Sequence, residues 1–188
     1  MLGVRKDSAW SFVTSSSGGL GLEFVVVEGG MIYLQDPQGT QQPFKYGAAG
    51  AGLSAGFKLP KIGKLQIPIK GRGLTGGVAP AAFPNAGKLY VLDSCPSDDL
   101  TRDAIRGVCM FAEIGGGLVA GVSGTAMIFG MSPAWLAAFA AAGPVNPLAM
   151  MYLENKLLST ATGILVMGGL NVGIQAGGGI GGYVGGLW

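Results

Sequence analysis

Histidine does not occur anywhere in these 188 residues. Its absence removes the Ser-His-Asp and Cys-His arrangements of nucleophilic catalysis, together with the commonest metal ligand. Cysteine occurs only at Cys95 and Cys109, and two thiols alone do not make a zinc site. Neighbouring carboxylates occur only at Asp98-Asp99, where capping of a helix start accounts for them. No Walker-type Gly-Lys-Ser/Thr run is present. A Gly-x-Gly-x-x-Gly match exists at Gly177, Gly179 and Gly182, but only six residues follow it, too few for the helix and acidic partner of a dinucleotide site. The expectation is a protein that is not an enzyme and carries no metal or cofactor.

Charge is the next scarcity. Charged residues make up 12% of the chain, against about 25% in an average soluble protein. Hydrophobic residues reach 49% and mean hydropathy is +0.48, values that belong with membrane-active chains. Nineteen ionised side chains precede Gly107, and only Glu113, Glu154 and Lys156 follow it. Within a bilayer those three would be costly and functional; on a folded domain they mark the surface ends of a strand and a helix. The net charge of +2, with no Lys/Arg run interleaved with aromatics, gives no argument for nucleic acid, and no nucleic-acid partner is expected.

The length fits one domain, 1–188. It divides into a charged β-rich front, 1–107, and an apolar glycine-rich part, 108–188. After Arg5, Lys6 and Asp7 no apolar run of signal-peptide length appears, so export by a route other than a signal peptide is expected. Cys95 and Cys109 bracket a loop of about 15 residues, whose closure by a disulfide is worth roughly 3 kcal/mol; two unpaired core thiols are the equal alternative.

Period-two alternation predicts strands along the front. Trp10, Phe12 and Thr14 share one face of 8–17. Leu20, Leu22, Phe24 and Val26 share one face of 20–28, and 31–35 resumes after a break at Gly29-Gly30. Two hairpins in the first forty residues are the economical reading, with Asp36-Pro37-Gln38-Gly39 as a turn. Further strands are expected at 53–59, at 65–70, where Pro68 confines the strand to an edge or a bulge, and at 88–93. Ser97 as N-cap, Asp98 and Asp99 in the first turn, Arg102 and Arg106 near the end and Gly107 beyond it predict a short helix. Residues 108–131 return to glycine-spaced strand. Ser132-Pro133 opens an alanine-rich helix to Ala142, and 147–160 forms a second with Leu148, Met151, Tyr152 and Leu158 near one face. The fold class expected is mainly β, a glycine-rich antiparallel barrel or sandwich with a helical hairpin near residues 132–160.

What the chain has in abundance is glycine, 36 residues, interleaved with Val, Ile, Leu and Met. That pairing serves close backbone approach and not linker flexibility. The last 26 residues, Gly163 to Trp188, hold no charge, and Gly169, Gly173, Gly177, Gly181 and Gly185 recur at every fourth position. As a helix this is a small-xxx-small stripe about 39 Å long, enough for a bilayer core of roughly 30 Å. As strands, Ile164, Val166, Leu170, Val172, Ile174, Ile180, Val184 and Trp188 occupy even positions, with a turn at Gly177-Gly178-Gly179. Glycine costs about 1 kcal/mol per residue in a helix relative to alanine, so a β hairpin is expected in water and the glycine zipper matters only in lipid.

Between Asp36 and Asp93 no acid occurs, while Lys45, Lys58, Lys61, Lys64, Lys70, Arg72 and Lys88 do. Lys58, Lys61, Lys64, Lys70 and Arg72 are candidates to face anionic lipid; a solvated face that keeps strand edges soluble is the plain alternative.

A chain of this size with no catalytic constellation and a glycine-zipper-like apolar C-terminal half resembles the pore-forming antibacterial effectors delivered by type VI secretion. The resemblance lies in the layout of residues 108–188. It implies a toxin that inserts into the target cell's inner membrane, passes ions and collapses the membrane potential. Target-cell membrane lipids would be its partners, with self-assembly in the membrane, a secretion carrier and a cognate immunity protein in the producer. A soluble β-barrel that binds a lipid or other apolar ligand in its interior is the alternative. An eight-stranded outer-membrane barrel fits the length and the terminal Trp188, but not the missing signal peptide or the alanine-rich helices.

Overall fold

The computed structural model describes residues 3–22, 25–50, 86–115, 122–142, 147–170 and 182–188. Its elements are β1 (Val4–Leu22), β2 (Val25–Gln35), β3 (Gln41–Gly50), β4 (Ala86–Leu92), α1 (Arg102–Ile105), β5 (Gly107–Gly115), β6 (Val122–Met131), α2 (Pro133–Ala142), α3 (Pro147–Leu158), β7 (Gly163–Leu170) and β8 (Gly182–Leu187). The eight strands close into an antiparallel barrel in the order β1-β2-β3-β8-β5-β6-β7-β4, the mainly β architecture that the alternation implied. Among the described strands, closure leaves no free sheet edge.

Two corrections concern the front. Gly29-Gly30 does not interrupt β2, because the ladder needs only backbone and Gly29 faces Gly18 on one side and Gly47 on the other. The first hairpin is therefore one long pair, β1 with β2, and the second joins β2 to β3. Their turn is as expected: the Asp36 carboxylate accepts from the Gln38 and Thr40 amides, the Gly39 amide donates to the Asp36 carbonyl, and Gly39 takes φ +86°. The glycine row continues around the wall, since Gly47 pairs with Gly186 of β8. Four adjacent strands thus meet at Gly18, Gly29, Gly47 and Gly186, and glycines aligned in this way let a sheet bend sharply.

The short helix is also corrected. It begins at Thr101, whose hydroxyl accepts from the Ala104 amide, and not at Ser97. Asp98 and Asp99 bind β1 instead: Lys6 pairs with Asp98 at 2.9 Å, and Asp99 accepts from the Ser8 hydroxyl and the Ala9 amide. Arg5 donates to the carbonyls of Asp93, Cys95 and Ser97. The acids are tertiary ligands, a role that local capping rules cannot see.

The charge-free tail forms strands, but not a hairpin of its own. β7 lies between β4 and β6, whereas β8 lies between β3 and β5, so the β5–β6 pair separates them. Alternation specifies which faces a strand presents and does not specify its neighbour.

Two cores result from the period of two. Trp10, Ile32, Phe44, Tyr46, Leu89, Val91, Cys109, Met127, Phe129, Leu165 and Leu187 form one buried cluster with residues from every strand, which is the barrel interior. Leu100 and Ile105, on and before α1, join it at the barrel end. The second cluster takes the alternate residues of β4, β5, β6 and β7 and packs against the helices.

Candidate functional site

The surface that sets this barrel apart is the outer wall formed by β4, β7, β6 and β5. Pairing aligns Tyr90 with Ile164, Ile164 with Ile128, Ile128 with Met110, and Met110 with Val184 of β8. One apolar row therefore crosses five strands. Leu92, Val108, Ala126 and Val166 flank it, and all these residues except Val184 are buried. The remaining outside is different: Arg5, Asp7, Ala9 and Ser11 of β1 and Gln41, Pro43 and Lys45 of β3 are exposed. Among the described residues the outside is continuously apolar across this wall and mixed over β1, β2 and β3, where Met31 and Tyr33 are part-buried and Val13 is exposed.

The wall is buried because α2 and α3 lie on it. Trp135 and Leu136 of α2 and Leu157 and Leu158 of α3 pack against the cluster. The helices form where expected, Pro133 and Pro147 standing at their first positions. The expected inward face of α3 is corrected, however. Leu148 is 78% exposed, Met151 59% and Tyr152 57%, so only Leu158 of that set is buried. In a helix, residues 148, 151 and 152 fall on one side and 157 on the other, and the wall selects the side that carries Leu157.

Lys88 closes one margin of the wall. Its ammonium lies 2.8 Å from the Asp7 carboxylate and 5.1 Å from the Tyr90 ring centre. At the barrel end the Asp99 carboxyl experiences opposing influences. Partial burial pushes its pKa up, but hydrogen bonds from Ser8, Ala9 and Leu100 and the charge of Lys6 outweigh this and hold it below the usual carboxylate value.

Among the proposed site residues, Gly169 lies in β7 opposite Ser123, and Gly185 lies in β8 between Ala48 and Cys109. The fold places them on strands that are not neighbours, so the period-four stripe is not assembled between these two. Gly173, Gly177 and Gly181, and the basic candidates Lys58, Lys61, Lys64, Lys70 and Arg72, lie outside the described residues. Cys95 and Cys109 are free and buried in the interior cluster, which replaces the disulfide by the alternative of unpaired core thiols. Among the described residues no group of three His, Cys, Asp or Glu could hold a metal ion, and no helix is long and apolar enough to cross a membrane. The half-apolar outer wall went unseen in the sequence. Its signal was present in residues 163–167, GILVM, where both faces of the strand are apolar, as they must be if both are covered.

The chain is 40% identical over 184 residues to "Toxin protein Tse4" of Pseudomonas aeruginosa, an alignment that covers 97% of this chain and 94% of that protein. The chain belongs to the Tse4 toxin family. Alignment across nearly the whole of both chains places the barrel strands and the helical hairpin within the region shared with Tse4. No family model and no solved structure matches. A toxin family is what the compositional resemblance implied.

Proposed function

We propose that this chain is an antibacterial effector delivered by type VI secretion, which inserts into the target cell's inner membrane, passes ions and depolarises it. The observation that carries this reading is the continuous apolar row Tyr90–Ile164–Ile128–Met110–Val184 on the outside of a closed barrel. An outer wall of apolar side chains is suited to hydrocarbon, because every backbone group of its paired strands is satisfied within the sheet. Membrane lipids and copies of the chain itself are the partners that this activity requires, with an immunity protein protecting the producer. No catalytic step enters this reading.

Over the described side chains the interior does not favour the alternative of a lipid carrier. Trp10, Phe44, Tyr46, Phe129, Leu165 and Leu187 occupy it and are buried by one another, as expected for eight strands, whose interior is only wide enough for side chains. The same packing means that the closed barrel is a resting form and that conduction requires a rearrangement or an assembly. Purified protein added to one side of a planar bilayer should give discrete conductance steps. Growth should fall when the protein is directed to the periplasm and not when it is kept in the cytoplasm; a silent bilayer together with normal growth in both cases overturns the reading.

A further inference from the structure

The helical hairpin has the construction of a flap. Both of its chain ends leave the barrel at one place, where the Ser132 amide donates to the Thr160 hydroxyl at 3.0 Å. Just beyond that point the chain is tied firmly to the barrel: the Thr162 amide donates to the Phe129 carbonyl and the Leu92 amide to the Thr162 carbonyl, both at 3.0 Å, and Ser94 binds the Ala161 carbonyl. The hinge is therefore fixed while the body of the hairpin rests on the wall through Trp135, Leu136, Leu157 and Leu158.

The two layers are unusual in their polarity. No residue of α2 is buried, although the helix contains no charged side chain. On α3 the side turned away from the wall presents Leu148, Met151 and Tyr152 together with Asn155 and Lys156. Lys156 holds its ammonium 5.6 Å from the Tyr152 ring centre. Apolar residues beside a tyrosine and a lysine suit the interface of an anionic bilayer, where aromatic rings sit at headgroup level and a lysine reaches the phosphates. Beneath lies an outer wall that is itself apolar. A cover that is apolar beneath and carries exposed Leu148, Met151 and Tyr152 above gains by leaving the wall when lipid is present, since acyl chains can take over its contacts on the barrel while the helices place their outer side in the interface. In water neither exchange is available, and the flap stays shut.

We propose that the α2–α3 hairpin is a lipid-operated cover: it docks on a bilayer through Leu148, Met151 and Tyr152 and swings about Ser132 and Thr160 to expose the β4–β7–β6–β5 wall to acyl chains. This rests on the membrane-insertion reading and supplies its trigger. A ligand shifts such an equilibrium only by its differential affinity for the two states, so weakening the inner contacts and weakening the outer face must act in opposite directions.

The test uses full-length protein and phosphatidylethanolamine/phosphatidylglycerol vesicles carrying brominated acyl chains, with quenching of tryptophan fluorescence followed in time. Leu157→Ala, on the inner side of α3, should speed quenching severalfold. Leu148→Glu combined with Met151→Glu, on the exposed side, should slow it severalfold while leaving the urea midpoint unchanged. Leu34→Ala, which removes a side chain from the barrel interior far from the hairpin in the strand order, should destabilise without speeding quenching. If Leu157→Ala does not fold, Leu136→Ala on the other helix, which leaves all three tryptophans in place, gives the same reading. Equal acceleration by Leu34→Ala, or no acceleration from the inner-side variants, overturns the cover. Planar-bilayer conductance is recorded separately: lipid contact with the expected pattern but no conductance overturns the depolarising activity and leaves the cover, whereas conductance insensitive to both faces of α3 overturns the cover alone.

Discussion

The ring of Phe129 lies directly over Gly163. The two residues are paired across β6 and β7, and a Cβ on Gly163 would stand 2.5 Å from Cε2 and Cζ of the ring. Gly163→Ala should therefore act as overpacking and lower stability by about 1–3 kcal/mol, read as a reduced urea midpoint at unchanged slope. Phe129→Leu in the same chain should restore part of the loss caused by the alanine, so that a double-mutant cycle gives a coupling of opposite sign to the two single effects.

Asp99 binds β1 through Ser8 and Ala9, and its folded-state pKa is depressed. A depressed carboxyl contributes stability that is fully present above its unfolded pKa of about 3.9 and is lost as pH falls through the lower folded value. Unfolding free energies measured from neutral pH down into this acid range should fall less steeply in Asp99→Asn than in the parent. Equal slopes would show that the carboxylate is not what holds the barrel end.

Trp10 donates from Nε1 to the Leu100 carbonyl at 2.7 Å within the interior. Replacement by Phe keeps most of the ring but leaves that buried carbonyl without the donor, at a cost of about 1–3 kcal/mol. The expected signature is a lowered thermal midpoint with the strand content unchanged by circular dichroism.

Trp188 packs its ring on Gly47 and Gly186, with a Cβ on either glycine falling 3.1 and 3.5 Å from ring atoms. Its backbone extends the β3–β8 ladder by two hydrogen bonds of 2.9 Å with Lys45. An aromatic ring laid over paired glycines supplies the contact area that they lack. Trp188→Ala should cost about 1 kcal/mol and speed hydrogen exchange at the amides of Gly47 and Gly186 before it affects those of β4.

Both cysteines are free. Denatured protein purified without reductant should take up two alkyl groups per chain, and the thermal midpoint should be the same with and without reductant. Uptake of none would restore the disulfide.

Much of the secondary structure was legible because it is written in short periods. Trp10 and Phe12 alternate with Ala9 and Ser11, the Asp36–Gly39 turn carries its own hydrogen-bonding side chain, and Pro133 and Pro147 open the helices. These signals act within a few residues and do not depend on what lies across the barrel. The tail hairpin, the helix start at Ser97 and the inward face of α3 were misjudged for a common reason: each depends on a partner far along the chain. Asp99 looks like a helix acid until β1 arrives with Ser8, and Leu148 looks like a core residue until the wall takes Leu157 instead.

The sequence by itself determined that the chain is glycine-rich β structure with two helices, almost free of charge beyond Gly107, and without the groups for histidine-based catalysis. These follow from composition and local period, which are properties of single segments. Tertiary structure decided that β8 closes against β3 and β5, that Gly18, Gly29, Gly47 and Gly186 meet in one row, and that the helices cover an apolar outer wall. Strand pairing is a choice among surfaces of similar local pattern, and it is settled by closing the barrel and burying both faces of β7 together. The glycines that the tail displays at every fourth position are organised in the fold across strands and not along one helix. Gly185 sits opposite Ala48 and Cys109, while its neighbour Gly186 completes the row beneath Trp188.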